Sequence, residues 1–551
     1  MKNLKKIALG MAVLCCITAV LFTSCNKKEE APLEGEYPIE LTVFTGQSRP
    51  QPSADNPAYQ YLKDTLNVTF KWDILVGDIA QKRGIMIAGG DYPDIIEINE
   101  TAFIEAGAVI PLEGLIEEHA PSIRTFFGND WDKIKSADGH VYYLPNFGIM
   151  KGRDQNPVWM GSSMWIQKEV LKDAGYPKVV TLDQYFDLIT AYAKKNPMIN
   201  GQSVIPFTVL TDDWRAFCLW NPPNFISGNS NDGNGVVNPE TFEYKTFFTM
   251  DTSKRWFKKL NELNSQGLID RSGFTDNYDQ YIAKISAGRV LGIHDQYWQF
   301  QNADFALRDA GQYNRTMAPI PVVFDESIRP HYRDIPIPNL GRGFGISVSA
   351  KDPVRIIKML EKLLSEEVQR NIEWGIECQH WQYDADGIPY RTPEQRANWD
   401  NLTWQEQNRP LLIRDIFPKW EGSFTDGYPT DLVNFYLERE AMLRDEDKEL
   451  WEAYGVTSMA EMLDKDPPPN DPWYPTWTMP NPPDGSPAQI ALQRCEQTMK
   501  RMLPQIILAS PAEFEGLWAS YVDEMNANEL SVYEAYMQEQ LDRRLKEWGL
   551  E

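Results

Sequence analysis

Apolar and polar residues alternate along Ile39-Glu-Leu-Thr-Val-Phe44 and the alternation stops at Thr45-Gly46, which predicts a strand. Asn56-Pro57 then offers an N-cap followed by proline at the first helical position, so a helix should run to about Leu66. A second strand is expected over 68–74, then a helix ending near Gly89-Gly90, then a short buried strand over 94–98. Strand, helix, strand, helix, strand is the order of a doubly wound α/β lobe.

Asp138-Gly139 signals a turn before the apolar run 141–145. Beyond it the pattern turns helical. Thr181-Leu-Asp-Gln184 is a capping box, and Leu182, Phe186, Ile189 and Ala193 share one face of the helix that follows. Trp256, Leu260 and Leu263 mark another amphipathic helix, with Gly267 placed to end it. A third, near 277–287, stops at Gly288 and leads into a strand at 290–293. These elements predict a second α/β lobe. Gly341-Arg-Gly-Phe-Gly345 precedes an expected strand at 346–349, and a helix should begin after Pro353. Residues 466–487 are proline-rich and hold Trp473, Tyr474 and Trp477, the composition of an extended strap packed by its rings or of a cleft rim. Ser531-Val-Tyr-Glu534 is a capping box expected to open the last helix.

The N-terminus follows other rules. Lys2, Lys5 and Lys6 precede an apolar run at 7–22 and then Leu21-Phe22-Thr23-Ser24-Cys25, which reads as a secretory signal over 1–24. The run has 16 residues, short of the ~20 a spanning helix needs. The last five residues resemble a bacterial lipobox, with cleavage before Cys25 and a lipid on that cysteine. An ordinary signal peptide with Cys25 a plain thiol, or an uncleaved anchor, are the alternatives. Residues 25–36 are polar and aperiodic, as expected of a flexible tether.

Charge and cysteine content narrow the partners. A formal net charge of −25 repels phosphate backbones, so nucleic acid is not an expected partner. Cys218, Cys378 and Cys495 remain beyond Cys25, an odd number without CxxC spacing, which argues against a disulfide network and a zinc site. The five histidines form no HExxH pattern, and GxSxG, GxxxxGK[ST] and SxxK are absent. No catalytic residue, metal or cofactor is implied. The aromatics are more telling: 18 Trp, 24 Tyr and 24 Phe, several in polar and turn-rich settings. Asp212-Asp213-Trp214-Arg215, Trp220-Asn-Pro-Pro, His294-Asp-Gln-Tyr-Trp298 and His380-Trp381 set a flat ring beside directional hydrogen-bonding groups, as a sugar requires.

At this level the chain resembles the bacterial extracellular solute-binding lipoproteins of ABC importers, in the large oligosaccharide-associated branch. The resemblance rests on ordered segments: Met86-Ile-Ala-Gly-Gly-Asp-Tyr-Pro-Asp-Ile-Ile96, Val109-Ile-Pro-Leu-Glu-Gly-Leu-Ile116, Asp138-Gly-His-Val-Tyr-Tyr-Leu-Pro145, Met164-Trp-Ile-Gln-Lys-Glu-Val-Leu171, Gly267-Leu-Ile-Asp270 and Trp374-Gly-Ile-Glu377. It implies a type II periplasmic-binding-protein fold, two doubly wound α/β lobes with a ligand cleft between them. Lobe one would combine 37–150 with 341–420, and lobe two 151–340 with 421–551. The chain would cross between them near 145–158 and again near 338–345, where the Gly-rich segment would serve as hinge backbone. By the same resemblance the cleft would be lined by Gln47, Asp91 and Glu100 from lobe one and by Trp214, Trp220, His294 and Trp298 from lobe two. Trp298 leads that set, and Trp374 and Trp381 are weaker members. One segment departs from the family pattern: where many relatives carry an acidic calcium loop, this chain has Asn196-Pro-Met-Ile-Asn-Gly-Gln-Ser-Val204, without the carboxylates that calcium requires.

The expected function is therefore that of a lipid-anchored, monomeric receptor on the extracytoplasmic face of the cell membrane, passing an oligosaccharide to an ABC permease without turnover. A peptide or other small polar solute, a secreted glycan-active enzyme, or a surface adhesin are the competing readings. Two acidic lobes disfavour anionic ligands unless a local cation such as Arg49 or Arg215 reverses that.

Overall fold

The computed structural model describes residues 37–550, apart from 48, 99–100, 137 and 153–155. The signal, the tether and Cys25 thus lie outside the described residues, as does Glu100.

Strands β1 (Ile39–Thr45), β2 (Val68–Ile74), β3 (Ile95–Ile98), β4 (Leu144–Pro145), β5 (Ser162–Gln167), β6 (Ile205–Phe207), β7 (Val290–Gln296), β8 (Met317–Ile320) and β9 (Arg342–Ile346) build two sheets. The first has the order β2-β1-β3-β9-β4 and the second β8-β5-β7-β6. In the first, β1 runs parallel to both β2 and β3, and the returning β9 lies antiparallel to β3. Helices α1 (Pro57–Leu66) and α2 (Ile79–Gly89) make the crossovers. Asn56 caps α1 as its sequence predicts, its side chain accepting from the backbone N–H groups of Ala58 and Tyr59. The chain leaves the first sheet at Pro145, enters the second at Ser162, and returns from Ile320 to Arg342.

Each sheet has its own core. Leu41, Val43, Ile95, Ile356 and Leu360 bury the first. Trp165, Ile293, Phe300 and Trp256 bury the second, joined by Met499, Leu503 and Trp518 from the C-terminal helices. The capping boxes at Thr181 and Asn277 open their helices as expected.

Three local expectations need correction. The Gly-rich segment is itself strand β9 rather than hinge backbone: a Cβ at Gly343 would sit 2.2 Å from the Leu144 carbonyl oxygen, and one at Gly345 would sit 2.5 Å from the Tyr143 ring. Glycine is there to let β9 approach its neighbours. The final helix begins at Leu530, not behind a Ser531 cap, because Glu534 spends its carboxylate on Thr246, accepting from both its N–H and its hydroxyl. Residues 421–435, assigned to lobe two by sequence, pack instead on lobe-one rings: Phe424 and Leu432 bury against Trp374 and Trp381.

Residues 196–204 form a tight hairpin, Met198–Ile199 pairing with Gln202–Ser203. Asn200 and Gly201 both have positive φ, 51° and 77°, as a two-residue type I′ turn demands. The proline-rich segment packs Trp473 against Tyr244 and Leu541, and Trp473 donates its indole N–H to Asp232. Its Asp484 pairs with Arg83 of α2 at 2.6 Å, so the strap touches lobe one as well.

Candidate functional site

Two buried carboxylates shape the ends of β3 and β7. On the first sheet Glu97 accepts from the Gly46 N–H and the Thr45 hydroxyl, and pairs with Arg342 at 3.3 Å. Burial pushes its pKa up while Arg342 holds it down. The loop after β1 is thereby fixed, with Gln47 half-buried on it; its N–H donates to the Thr45 hydroxyl. Asp91 is exposed just after α2.

On the second sheet Asp295, at the end of β7, is fully buried. It accepts from the Tyr281 hydroxyl at 2.8 Å, the Cys218 thiol at 3.2 Å, Gln299 at 2.6 Å and the Gln296 N–H at 2.7 Å. Burial raises its pKa to about 6 despite these donors. The network sets where the chain leaves the strand. Helix α3 (Tyr297–Asp309) starts at once, and Trp298 projects from its first turn. Trp298 is 40% exposed and Trp214 51%. Their rings stack at 5.9 Å and 8°, with Phe217 stacked on Trp214 at 6.1 Å and 23°. Arg215 lies over both Trp214, at 4.6 Å, and Tyr278, at 4.2 Å. Gln296 accepts the Trp298 indole N–H. The result is a rigid, open aromatic platform.

The other predicted rings are not surface groups. Trp220 belongs to the second sheet's core. His294 is buried on a central strand, where both faces are covered. Burial lowers its pKa to about 3, so it is neutral. Trp374 and Trp381 meet edge to face at 4.8 Å and give their indole N–H groups to the Pro429 and Gly375 carbonyls. Their flat faces serve packing, and none of these four offers a ligand surface.

A cavity of about 1180 Å³ lies between residues of the two lobes, and the described residues of the predicted set do not line it. Its second-lobe wall holds Trp159, Tyr297, Asn302, Phe305 and Tyr313; its first-lobe wall holds Arg49, Trp399, Arg409 and Arg414. Where the crossovers run, Glu421–Gly422 pairs with Met150–Lys151 in a short parallel ladder. No residue of the proline-rich strap lines it. One signal for this wall was readable: Asn302, Phe305 and Asp309 recur at helical spacing directly after Trp298. Among the described residues, no group of three His, Cys, Asp or Glu is placed to hold a metal ion, and no helix is long and apolar enough to cross a membrane.

Two α/β lobes connected by repeated crossovers, with a ring-lined cavity between them, define a two-lobed ligand-binding protein of the type II periplasmic-binding-protein fold. The chain belongs to the bacterial extracellular solute-binding proteins, whose family pattern matches residues 58–372. It is 26% identical over 297 residues to the fructooligosaccharide ABC transporter substrate-binding protein FusA of Streptococcus pneumoniae, covering 50% of this chain and 54% of that one. It is 23% identical over 330 residues to lipoprotein LipO of Bacillus subtilis, covering 55% and 59%. The chain thus matches little more than half the length of these curated relatives. In structure it resembles an HMO-binding, ABC-transporter-associated solute-binding protein from Bifidobacterium longum infantis, with a TM-score of 0.63 and 18% identity over 92% of this chain and 99% of that one.

Proposed function

We propose that the protein is the extracytoplasmic substrate-binding component of an ABC importer, capturing an oligosaccharide between its lobes and releasing it unchanged to a permease. The observation that carries this is the cavity of about 1180 Å³ lined by loops and helices of both lobes, where rings stand beside amide and guanidinium groups. Trp159, Phe305 and Tyr313 offer apolar faces for the CH side of a sugar, and Asn302 and Gln301 offer edge hydrogen bonds. The Trp214–Trp298 platform extends the same chemistry beyond the cavity. Gln47, Asp91 and Glu100 remain candidates for the opposing rim. The names of FusA and the HMO-binding protein support a saccharide over a peptide. Residues 1–24 act as the export signal and Cys25 carries the lipid, with 25–36 as tether to a monomeric body. Closure follows from the ligand's higher affinity for the closed arrangement.

A thermal-shift screen against plant, host and microbial oligosaccharides tests this reading. One ligand class should raise the melting temperature, quench tryptophan fluorescence at one ligand per chain, and be recovered intact. No shift from any saccharide overturns the reading, and hydrolysis products would replace it with an enzyme. Mass spectrometry of the membrane-extracted N-terminal peptide should find the lipid on Cys25.

A further inference from the structure

The proline-rich strap is tied down at its start and reaches across the molecule at its end. Its start grips the crossover that returns to lobe one. Asn470 accepts from the Ile335 N–H at 2.8 Å and donates to the Ile335 carbonyl at 2.7 Å, and Arg333 donates to the Asp464 carbonyl at 2.9 Å. Its middle is fixed to lobe two. Buried Asp232 accepts from the Trp473 indole at 3.0 Å and from the Thr476 N–H at 2.6 Å, while Arg544 of the last helix donates to the Trp473 carbonyl at 3.0 Å. Its end meets lobe one, where Asp484 pairs with Arg83 at 2.6 Å.

That end is rigidly presented. Ser486 caps the helix Pro487–Leu508, and Gln489 in its first turn accepts from the Gly485 N–H at 2.6 Å and donates to Asp484 at 2.7 Å. The same helix carries Met499 and Leu503 into the core of lobe two. Topology gives the pair leverage. The crossovers attach at β4 and β9, on one side of the first sheet, whereas Arg83 lies on α2, which starts from β2, the edge strand on the other side. A lobe rotation about the crossovers moves contacts on that far side most. A second contact joins the same two units: Lys133 of lobe one lies over the Trp548 ring at 5.9 Å. Neither Arg83 nor Asp484 lines the cavity, so any effect of theirs on a guest must pass through the arrangement of the lobes.

We propose that the strap is an interlobe latch: anchored on lobe two and on the returning crossover, it holds lobe one through the Asp484–Arg83 pair and sets how often the cleft opens. This rests on the reading that the lobes close over a guest, but it requires no particular guest.

The test is single-molecule fluorescence energy transfer on the intact, guest-free protein. Dyes are placed through unnatural amino acids at Lys71 of lobe one and Lys194 of lobe two, both exposed. The wild type should populate mainly the shorter separation. Asp484→Lys should raise the population at longer separation about fivefold, the upper range for an exposed ion pair. Raising sodium chloride from ~0.05 to ~1 M should move the wild type in the same direction, because salt screens the pair. Combining Asp484→Lys with Arg83→Glu rebuilds the pair in reverse and should restore the wild-type distribution. Melting curves check that each variant folds. If the charge reversals do not fold, the salt titration and the milder Asp484→Asn, expected to shift the population about twofold, decide the matter. Unchanged populations, a shift to shorter separation, or failure of the swap to restore the distribution overturns the latch and leaves the oligosaccharide reading standing. Failure of every saccharide to bind overturns that reading without touching the latch, which is read with no guest present.

Discussion

Two pairs of tryptophans share a residue type and a polar sequence context but differ in what surrounds them. Trp214 and Trp298 lie in parallel contact at the open end of a strand, with roughly half of each side chain in solvent. Trp374 and Trp381 cross at 89° inside a cluster with Phe424 and Leu432, with both indole N–H groups bound to backbone carbonyls. A tryptophan whose edge and faces are already used contributes burial. One whose face is open contributes recognition.

The largest consequence is for stability. Trp374→Ala should cost about 3–5 kcal/mol, the range for truncating a large buried aromatic. Denaturant unfolding monitored by circular dichroism measures it. The variant's folded fraction should bind ligand with wild-type affinity, and a loss below about 1 kcal/mol would erase the distinction between the pairs.

The pairs also differ in their supports. Trp298 follows Asp295, a buried acid, whereas Trp374 and Trp381 rest on carbonyls that do not titrate. Burial raises Asp295 from 3.8 to about 6, so between these values the folded protein holds a proton that the unfolded chain has released. Stability from this group is full below about pH 4 and is lost as pH rises through about 6, by up to about 3 kcal/mol. Asp295→Asn removes that proton. Its unfolding free energy, measured from pH 4 to 7, should fall less steeply than the wild type's, and parallel curves would show that Asp295 does not titrate in this window.

Trp298→Ala should leave stability nearly unchanged but weaken ligand binding by roughly 1–3 kcal/mol, the scale of one large side chain's burial. Calorimetry with whichever saccharide gives the thermal shift measures this. Undiminished affinity would confine recognition to the inner wall around Trp159 and Tyr313.

Local rules found the first lobe readily. Asn56 caps α1 through bonds to Ala58 and Tyr59, a signal complete within four residues. The final helix was legible too, but its expected capping box fails because Glu534 is claimed by Thr246, 288 positions away. His294 and Trp220 sit among polar neighbours in sequence, yet a central strand covered on both faces carries His294 inward. The cavity wall was hidden for the same reason: Arg49, Tyr313 and Arg409 converge only when the two lobes come together. Sequence context reports a residue's neighbours along the chain. Exposure depends on neighbours across it.

The smallest expected effect falls on a site remote in sequence from both pairs, the Asn200-Gly201 turn. Gly201 has φ of 77°, and a Cβ there would meet nothing within 4 Å, so the cost of Gly201→Ala is backbone strain alone, about 1 kcal/mol. The resemblance drawn from the sequence implies an acidic calcium loop in many relatives at this position, but here the hairpin closes through backbone pairing of Met198–Ile199 with Gln202–Ser203. Its stability should therefore not depend on calcium. Melting curves of wild type and Gly201→Ala, each with calcium and with chelator, should show one small shift from the substitution and none from the ion. A calcium-dependent shift would mean that oxygen ligands gather at this turn, and that it belongs with the binding machinery alongside Trp298 rather than with the scaffold.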